Sequence, residues 1–256
     1  MLRLSYSAVS AYEKCPLAYR FQYLDGIEVA PTPQLSFGRS LHSALEWLYA
    51  RDVPEPPTLQ ELLSHLDACW SREGYANADE ERSYLNHARE VLGRYHRDHS
   101  PDFRLPVAVE HRFEMEMDGF LLTGVIDRID RSSDGGFEII DYKTNRRLPE
   151  LSRLREDLQL PIYQMACREV LGIEASKLTF YYLLAARRYT TRAFDAPALE
   201  RVRERLRGVA AGVEAGEFPA TRNRLCPWCS YLDICPEMAP GRNRKERLLS
   251  RRASLL

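Results

Sequence analysis

The sequence lacks long apolar runs, a basic N-terminal region followed by an apolar stretch, and a large excess of charge of either sign. A membrane-spanning helix needs roughly 20 apolar residues in succession, so no membrane partner is expected. Because no secretory signal pattern opens the chain, we expect a cytoplasmic protein. The formal net charge of −1 at pH 7 indicates no particular class of charged partner.

Internal repeats and low-complexity linkers are also missing, which favours one α/β domain. Charge is nevertheless unevenly placed, with a strongly basic stretch over residues 242–252. A basic chain terminus of this kind is more often exposed to solvent than bound to the phosphates of a nucleic acid. The predicted organisation is a domain over residues 1–236 and a basic tail over 237–256. Within the domain we expect a helical part (5–105), a sheet core (106–215) and a cysteine-containing segment (216–236).

Helical periodicity in the first hundred residues gives way to strand alternation near Pro106. Helices are predicted at 37–51, 59–73 and 80–99, after an N-terminal helix capped by Ser5 or Ser7. Turn residues at 118–119 and 134–136 predict an antiparallel meander of strands 107–115, 120–129 and 137–143. The remaining predicted elements are a helix (154–171), two strands (178–184 and 189–194) and a final helix (197–215).

Two aspartates and a lysine lie on neighbouring strands of this meander. Side chains alternate along a strand, so Asp141 and Lys143 share one face while Ile140 and Tyr142 share the other. The hairpin brings Asp127 beside them. An isolated Asp-x-Lys triplet is more often a surface ion pair of little energetic value. Buried carboxylates need compensation, however, and a Mg²⁺ or Mn²⁺ ion bound by Asp127 and Asp141 would supply it.

Such a cation, together with a lysine, suits hydrolysis of a phosphodiester. The ion polarises the phosphoryl oxygen and acidifies bound water. Lys143 would orient the attacking water and stabilise the developing negative charge.

Three segments together resemble a known family. Gly-Val-Ile-Asp-Arg-Ile-Asp from residue 124, Ile-Ile-Asp-Tyr-Lys-Thr from 139 and Gln-Leu-Pro-Ile-Tyr from 159 occur in the order typical of PD-(D/E)XK nucleases. The similarity is greatest to the RecB-like branch, which includes the CRISPR adaptation exonucleases. It implies a restriction-endonuclease-like fold: a mixed central sheet flanked by helices, with an N-terminal helical elaboration.

The resemblance also implies site residues. The family's acidic ligand falls on Asp127, and its signature acid and lysine fall on Asp141 and Lys143. The family's helix glutamine and tyrosine fall on Gln159 and Tyr163, which are four residues apart and share one helix face.

Two further positions are less specific. His42 matches the family's helix histidine as a third metal ligand, although a histidine beside Leu41 and Leu45 is more often a packing residue. Glu110 lies where these nucleases often carry a glutamate, but an alternating edge strand explains it equally well.

The C-terminal segment carries Cys226, Cys229 and Cys235, and close thiols in an intracellular chain indicate a metal more than a disulfide. The branch with this triad takes its first ligand from the N-terminal helix, which implies Cys15, and holds a [4Fe–4S] cluster. Spacing leaves structural zinc open as the alternative. Cys69 and Cys167 are predicted to be buried core thiols.

The predicted activity is that of a metal-dependent DNA nuclease, in particular an exonuclease, in DNA repair, recombination or CRISPR-type processing. The chain has no G-x₄-G-K-[ST] phosphate loop. ATP-driven unwinding would therefore need a partner helicase or another repair or recombination protein. The alternative is a catalytically silent scaffold of the same fold that binds DNA or a helicase.

Overall fold

The computed structural model describes residues 1–50, 53 and 55–238. They form two compact units. The sheet unit comprises residues 30–115 and 123–202, and the terminal unit comprises residues 1–29, 116–122 and 203–238. The predicted basic stretch over 242–252 lies outside the described residues, and a single nuclease domain over 1–236 stays a prediction.

The elements follow one another in an order that begins with helices and continues with strands. They are β1 (Leu2–Ser5), α1 (Tyr6–Lys14), α2 (Pro16–Tyr19), a π-helical turn (Arg20–Leu24), α3 (Pro33–Ala50), α4 (Leu59–Cys69), α5 (Ala78–His99), β2 (Ala108–Met117), β3 (Phe120–Arg131), β4 (Phe137–Lys143), α6 (Leu151–Glu156), α7 (Gln159–Leu171), β5 (Ala175–Tyr182), β6 (Arg187–Arg192) and α8 (Ala196–Glu214). Among the described helices, none is both long and apolar enough to cross a membrane.

The sheet is mixed, as predicted. β2 and β4 both pair with β3, and the β3–β4 pair is antiparallel, with Arg128 opposite Ile140. β4 runs parallel to β5, with Asp141 beside Phe180, and β5 is antiparallel to the edge strand β6. A parallel pair needs a crossover connection, which α6 and α7 supply. The mixed α/β fold is confirmed.

Helices α3, α4 and α5 build the main core of the sheet unit against one face of β4 and β5. Their buried apolar side chains pack with Ile140, Tyr142 and Tyr181. Burying each large apolar side chain contributes about 1.5–3 kcal/mol, so this core holds the central strands firmly. Because side chains alternate, Asp141 and Lys143 extend from the other face of β4, where α7 packs.

The predicted helix over 154–171 was wrong, because two helices occupy this segment. Pro161 lacks an amide donor and is tolerated only within a first helical turn, so α7 begins just before it, at Gln159. The carboxylate of Asp157 accepts a hydrogen bond from the Gln159 amide at 2.8 Å. The break between α6 and α7 therefore places Gln159 at the first position of α7.

Of the remaining local predictions, some were confirmed and others were wrong. Ser5 caps α1 by accepting a hydrogen bond from the Ala8 amide, as expected. Strand β1 was not predicted, because four residues are too few for a periodic pattern. Cys167 is fully buried, as predicted, whereas Cys69 is only half-buried.

The terminal unit joins the N-terminal helices to the segment after α8. The Tyr12 hydroxyl donates to the Glu217 carbonyl at 2.7 Å, and the Leu17 amide donates to the Pro219 carbonyl at 3.2 Å. A small apolar cluster of Phe21, Tyr231 and Ile234 lies beside these contacts. The two ends of the described chain are therefore packed together.

Candidate functional site

Three potential ligands from three elements of the sheet unit converge. His42 from α3, Glu110 from β2 and Asp127 from β3 each offer one atom, and these atoms lie within 4.8 Å of one another. His42 Nδ1 is 3.6 Å from Asp127 Oδ2 and 3.8 Å from Glu110 Oε1. Within the described residues, this is the one group of three or more such side chains that meets so closely.

The histidine ring is oriented by the backbone of β4. His42 Nε2 lies 3.1 Å from the Tyr142 carbonyl oxygen, which can only accept a hydrogen bond. Nε2 therefore carries the proton, and Nδ1 is the nitrogen that faces the carboxylates. Burial would lower the pKa of His42, but Asp127 and Glu110 outweigh it and raise that pKa to about 10.

Glu110 is the site residue that the sequence left undecided. Its φ of +44° lies in the left-handed region, which is costly for a residue other than glycine. A local irregularity of this kind redirects a side chain from the regular alternation of a strand. Glu110 thereby reaches His42, and alternation along an edge strand does not account for its position.

Asp141 is almost completely buried and lies beside this group. Burial raises the pKa of its carboxyl, the Lys143 ammonium partly offsets that rise, and the charge of Asp127 adds to it. Asp141 Oδ2 forms an ion pair with Lys143 Nζ at 2.8 Å, which is its one polar partner among the described residues. A buried carboxylate with a single ammonium partner can still accept a second cation.

Hydrogen bonds connect Lys143, the lysine of the Asp-x-Lys triplet, to two side chains of α7. Lys143 donates a short hydrogen bond to Gln159 Oε1, and Gln159 Nε2 donates to the Tyr163 hydroxyl at 2.9 Å. Burial raises the pKa of Tyr163, so its hydroxyl stays protonated. The predicted residues Asp141, Lys143, Gln159 and Tyr163 thus form one continuous polar chain.

Tyr142, the middle residue of the Asp-x-Lys triplet, connects the group of potential ligands to the polar chain that begins at Asp141. Its amide donates to Asp127 Oδ2 at 2.7 Å, while its carbonyl faces His42. On the opposite face of the sheet, its hydroxyl lies 2.8 Å from the Tyr95 hydroxyl and 3.4 Å from Arg128 Nη1. One residue therefore contacts both His42 and Asp127.

Behind the sheet, a buried guanidinium stabilises this residue. Arg128 forms a bidentate ion pair with Asp130, at 2.6 and 2.7 Å, and lies 3.7 Å from the Tyr49 ring centroid. Charge-assisted and aromatic contacts of this kind compensate the burial of a charge. No periodic pattern in the sequence indicates this network, because its members are distant along the chain.

The donor set fits a hard divalent cation. Two carboxylates and an imidazole nitrogen meet, and a third carboxylate, that of Asp141, lies nearby in an ion pair with Lys143. Carboxylate oxygens suit Mg²⁺ and Mn²⁺, and the compact spacing is compatible with a shared ion.

The four predicted cluster cysteines line one cavity of about 290 Å³ in the terminal unit. Backbone amides donate to the sulfurs of Cys15, Cys226 and Cys229 at 3.3–3.4 Å. Burial raises the pKa of Cys229, and the charges of the other three cysteines contribute to that rise. Amide donors compensate thiolate charge in metal–sulfur centres. Four thiolates form a donor set that suits either a structural zinc ion or an iron–sulfur cluster.

Comparisons with known proteins agree with this geometry. Residues 3–236 match the family model of the PD-(D/E)XK nuclease superfamily. The chain is 26% identical over 270 residues to the Gene 69 protein of Mycobacterium phage D29, covering 91% of this chain and 96% of that protein. It is also 26% identical over 172 residues to one subunit of the ATP-dependent helicase/deoxyribonuclease of Streptococcus uberis, covering 63% of this chain but 16% of that subunit.

Among solved structures, the crystal structure of a candidate exonuclease from Eubacterium rectale aligns with a TM-score of 0.57 at 15% identity, covering 94% of each chain. At that identity the similarity shows a shared fold alone. The fold and the site define a hydrolase acting on nucleic acid. Since the family model spans nearly the whole chain, the chain belongs to the PD-(D/E)XK nuclease superfamily.

The buried network predicts a stability effect. Tyr142→Phe removes the hydroxyl that contacts Tyr95 and Arg128, leaving those buried groups less well satisfied. We expect it to lower the free energy of unfolding by about 1–2 kcal/mol, measured by urea denaturation. Tyr84→Phe removes an exposed hydrogen bond to Gln34 and serves as the control, with a change below about 0.5 kcal/mol. Equal stability of Tyr142→Phe and wild type would contradict the role of the network.

Proposed function

We propose that this nuclease is a Mg²⁺- or Mn²⁺-dependent deoxyribonuclease. The observation that carries the proposal is the convergence of His42, Glu110 and Asp127 beside buried Asp141, with Lys143 against Asp141. These residues would hold a divalent ion, with His42 contributing Nδ1. The bound ion would polarise a phosphoryl oxygen and lower the pKa of a coordinated water.

Lys143 places a positive charge where the phosphodiester becomes more negative. Its contacts with Asp141 and Gln159 fix the ammonium in one position, which is a requirement for electrostatic stabilisation of a transition state. It also orients the attacking water. Gln159 and Tyr163 position the DNA strand, because the tyrosine hydroxyl accepts from the glutamine and keeps its own proton free to donate.

The ligand histidine must lose its Nδ1 proton before it can bind the ion. Without an ion, that proton balances the charge of Asp127 and Glu110. A divalent ion held here would therefore take the place of that proton and supply the positive charge that balances the two carboxylates.

We further propose exonuclease action in DNA repair, recombination or CRISPR-type processing, at a cytoplasmic location. The E. rectale protein is described as a candidate exonuclease, and the S. uberis relative belongs to a helicase/deoxyribonuclease. Those descriptions support an end-directed activity and a helicase or recombination partner. A silent DNA-binding or helicase-partner scaffold is the alternative, and the retention of Asp127, Asp141 and Lys143 argues against it.

For the cysteine cavity we propose a [4Fe–4S] cluster bound by Cys15, Cys226, Cys229 and Cys235. The support is the shared cavity and the backbone amides that donate to three of the four sulfurs. Bound there, the cluster would join chain segments separated by more than two hundred residues. That closure removes conformational entropy from the unfolded chain, so its role is structural.

The nuclease activity is tested with end-labelled linear DNA and covalently closed circular DNA. With Mg²⁺ or Mn²⁺, the purified protein should shorten linear DNA from its ends and leave circular DNA intact. Asp141→Asn and Lys143→Ala should each reduce the rate by at least about a hundredfold, because they remove a ligand and a transition-state charge.

Glu90→Gln, on the exposed face of α5, is the matched control and should cleave like wild type. DNA binding without cleavage by the wild-type protein would instead support the silent scaffold. Cleavage of the circular substrate would replace exonuclease with endonuclease action.

Anaerobically purified protein should be brown, with broad visible absorption and iron bound to the chain. Cys226→Ser should lose the colour and unfold at a lower temperature, since the cluster joins both chain ends. Cys69→Ser is the control and should stay brown, because Cys69 lies in the sheet unit. Colourless wild-type protein containing stoichiometric zinc would refute the iron–sulfur assignment.

A further inference from the structure

A second concave surface of the sheet unit lies between α6 and the β5–β6 hairpin. It is a cavity of about 420 Å³, lined by Leu154, Arg155, Phe180, Tyr189 and Phe194 among others. Pockets that bind small organic groups occupy about 300–1,000 Å³. The volume therefore suffices for one nucleotide, but not for a folded partner.

Phe180 and Asp157, which line this cavity, are also close to residues of the proposed catalytic centre. Phe180 pairs in register with Asp141 on the neighbouring parallel strand, so both side chains lie on the same face of the sheet. Lys143 Nζ lies 5.0 Å from the centroid of the Phe180 ring. Asp157, which also lines the cavity, fixes the start of α7 through the Gln159 amide. A strand cleaved beside Lys143 would have its adjoining nucleotide near this cavity.

The chain between Lys143 and Gln159 carries four arginines and three acidic residues, Glu150, Glu156 and Asp157, and so has a net charge of +1. Arg146, Arg147, Arg153 and Arg155 are exposed, and within the described residues none of their side chains forms an ion pair or a hydrogen bond. By contrast, Arg188 at the cavity rim is paired with Glu138 at 2.7 Å. Exposed guanidinium groups without an ion-pair partner in the described part of the chain can contact the phosphates of a DNA strand.

The floor of the cavity offers an aromatic face. Tyr189 is half-buried, packs edge-on against Tyr182 with ring centroids 5.6 Å apart, and has the Arg187 guanidinium 6.0 Å from its own centroid. Aromatic rings beside a positively charged path are the usual means by which proteins bind unpaired bases. Thr191, two residues beyond Tyr189 on β6, lies on the same face of the sheet and also lines the cavity, whereas the Thr190 hydroxyl is hydrogen-bonded to that of Thr179.

We propose that this cavity is a nucleotide subsite for single-stranded DNA, with one base against Tyr189 and the flanking phosphates on Arg153 and Arg155. The inference rests on the proposed nuclease function and specifies its substrate. A base in a duplex is stacked and paired, so it cannot enter the cavity. The subsite therefore favours unpaired strands and holds them next to Lys143.

The test measures binding of a fluorescein-labelled oligothymidylate by anisotropy in metal-free buffer, so that no cleavage occurs. Tyr189→Ala should weaken binding roughly tenfold, whereas Tyr189→Phe keeps the ring and should stay within about twofold of wild type. The double variant Arg153→Ala/Arg155→Ala should lower the slope of log K against log salt by about 0.7 for each phosphate that is no longer bound.

Arg82→Ala/Arg97→Ala removes the same charge from the exposed face of α5 and should leave the affinity and the salt slope at wild-type values. Unfolding curves of all variants separate a binding defect from a folding defect, and the arginine pair keeps the test decisive if Tyr189→Ala does not fold. A duplex of the same length should compete at least tenfold less well than the single strand.

Unchanged affinity in both Tyr189→Ala and the Arg153/Arg155 variant, while wild type cleaves DNA, would overturn the subsite and leave the nuclease function standing. Equal competition by duplex would also overturn it. Loss of affinity in these variants, with a wild-type protein that never cleaves, would support the strand-binding surface and refute the nuclease function.

Discussion

The peptide group on each side of Tyr142 determines the geometry of the site. Its amide binds an Asp127 oxygen and its carbonyl faces His42, so two potential ligands from different elements are set by one residue of β4. The side chain is fixed on the other face by Tyr95 and Arg128. Because Asp141 and Lys143 are its neighbours, an anchored Tyr142 also sets their positions, and through Lys143 it sets Gln159.

Charge balance explains why so many ionisable groups can be buried here. Three carboxylates face a protonated His42 and the Lys143 ammonium, while the guanidinium of Arg128 is paired behind the sheet. Breaking one member of such a group leaves an uncompensated buried charge, which is far more costly than losing a surface ion pair. A divalent ion would improve the balance, since the three carboxylates of Glu110, Asp127 and Asp141 outnumber the two cations His42 and Lys143.

Much of the fold followed from the sequence because its cues are local. Alternation and turn residues predicted β4 at its observed bounds, and the motif spacing brought Asp127, Asp141 and Lys143 to one edge. The break between α6 and α7 was not predicted. The helical periodicity of the segment suggested one continuous helix, although Pro161 is tolerated only in the first turn of a helix. The role of Glu110 could not be decided, since it depends on a φ of +44° that no pattern of residue types encodes. The Arg128 network was equally inaccessible, because it joins residues from α3, α5, β3 and β4.

The most direct test of a shared ion site is Mn²⁺ binding to the intact protein, monitored by electron paramagnetic resonance of the free ion. Wild type should bind Mn²⁺ with an affinity that Glu110→Gln and Asp127→Asn each reduce at least about tenfold, while Glu138→Gln, outside the group, leaves it unchanged. Retention of wild-type Mn²⁺ affinity in both Glu110→Gln and Asp127→Asn would show that these residues do not hold the ion, and would contradict a shared ion site.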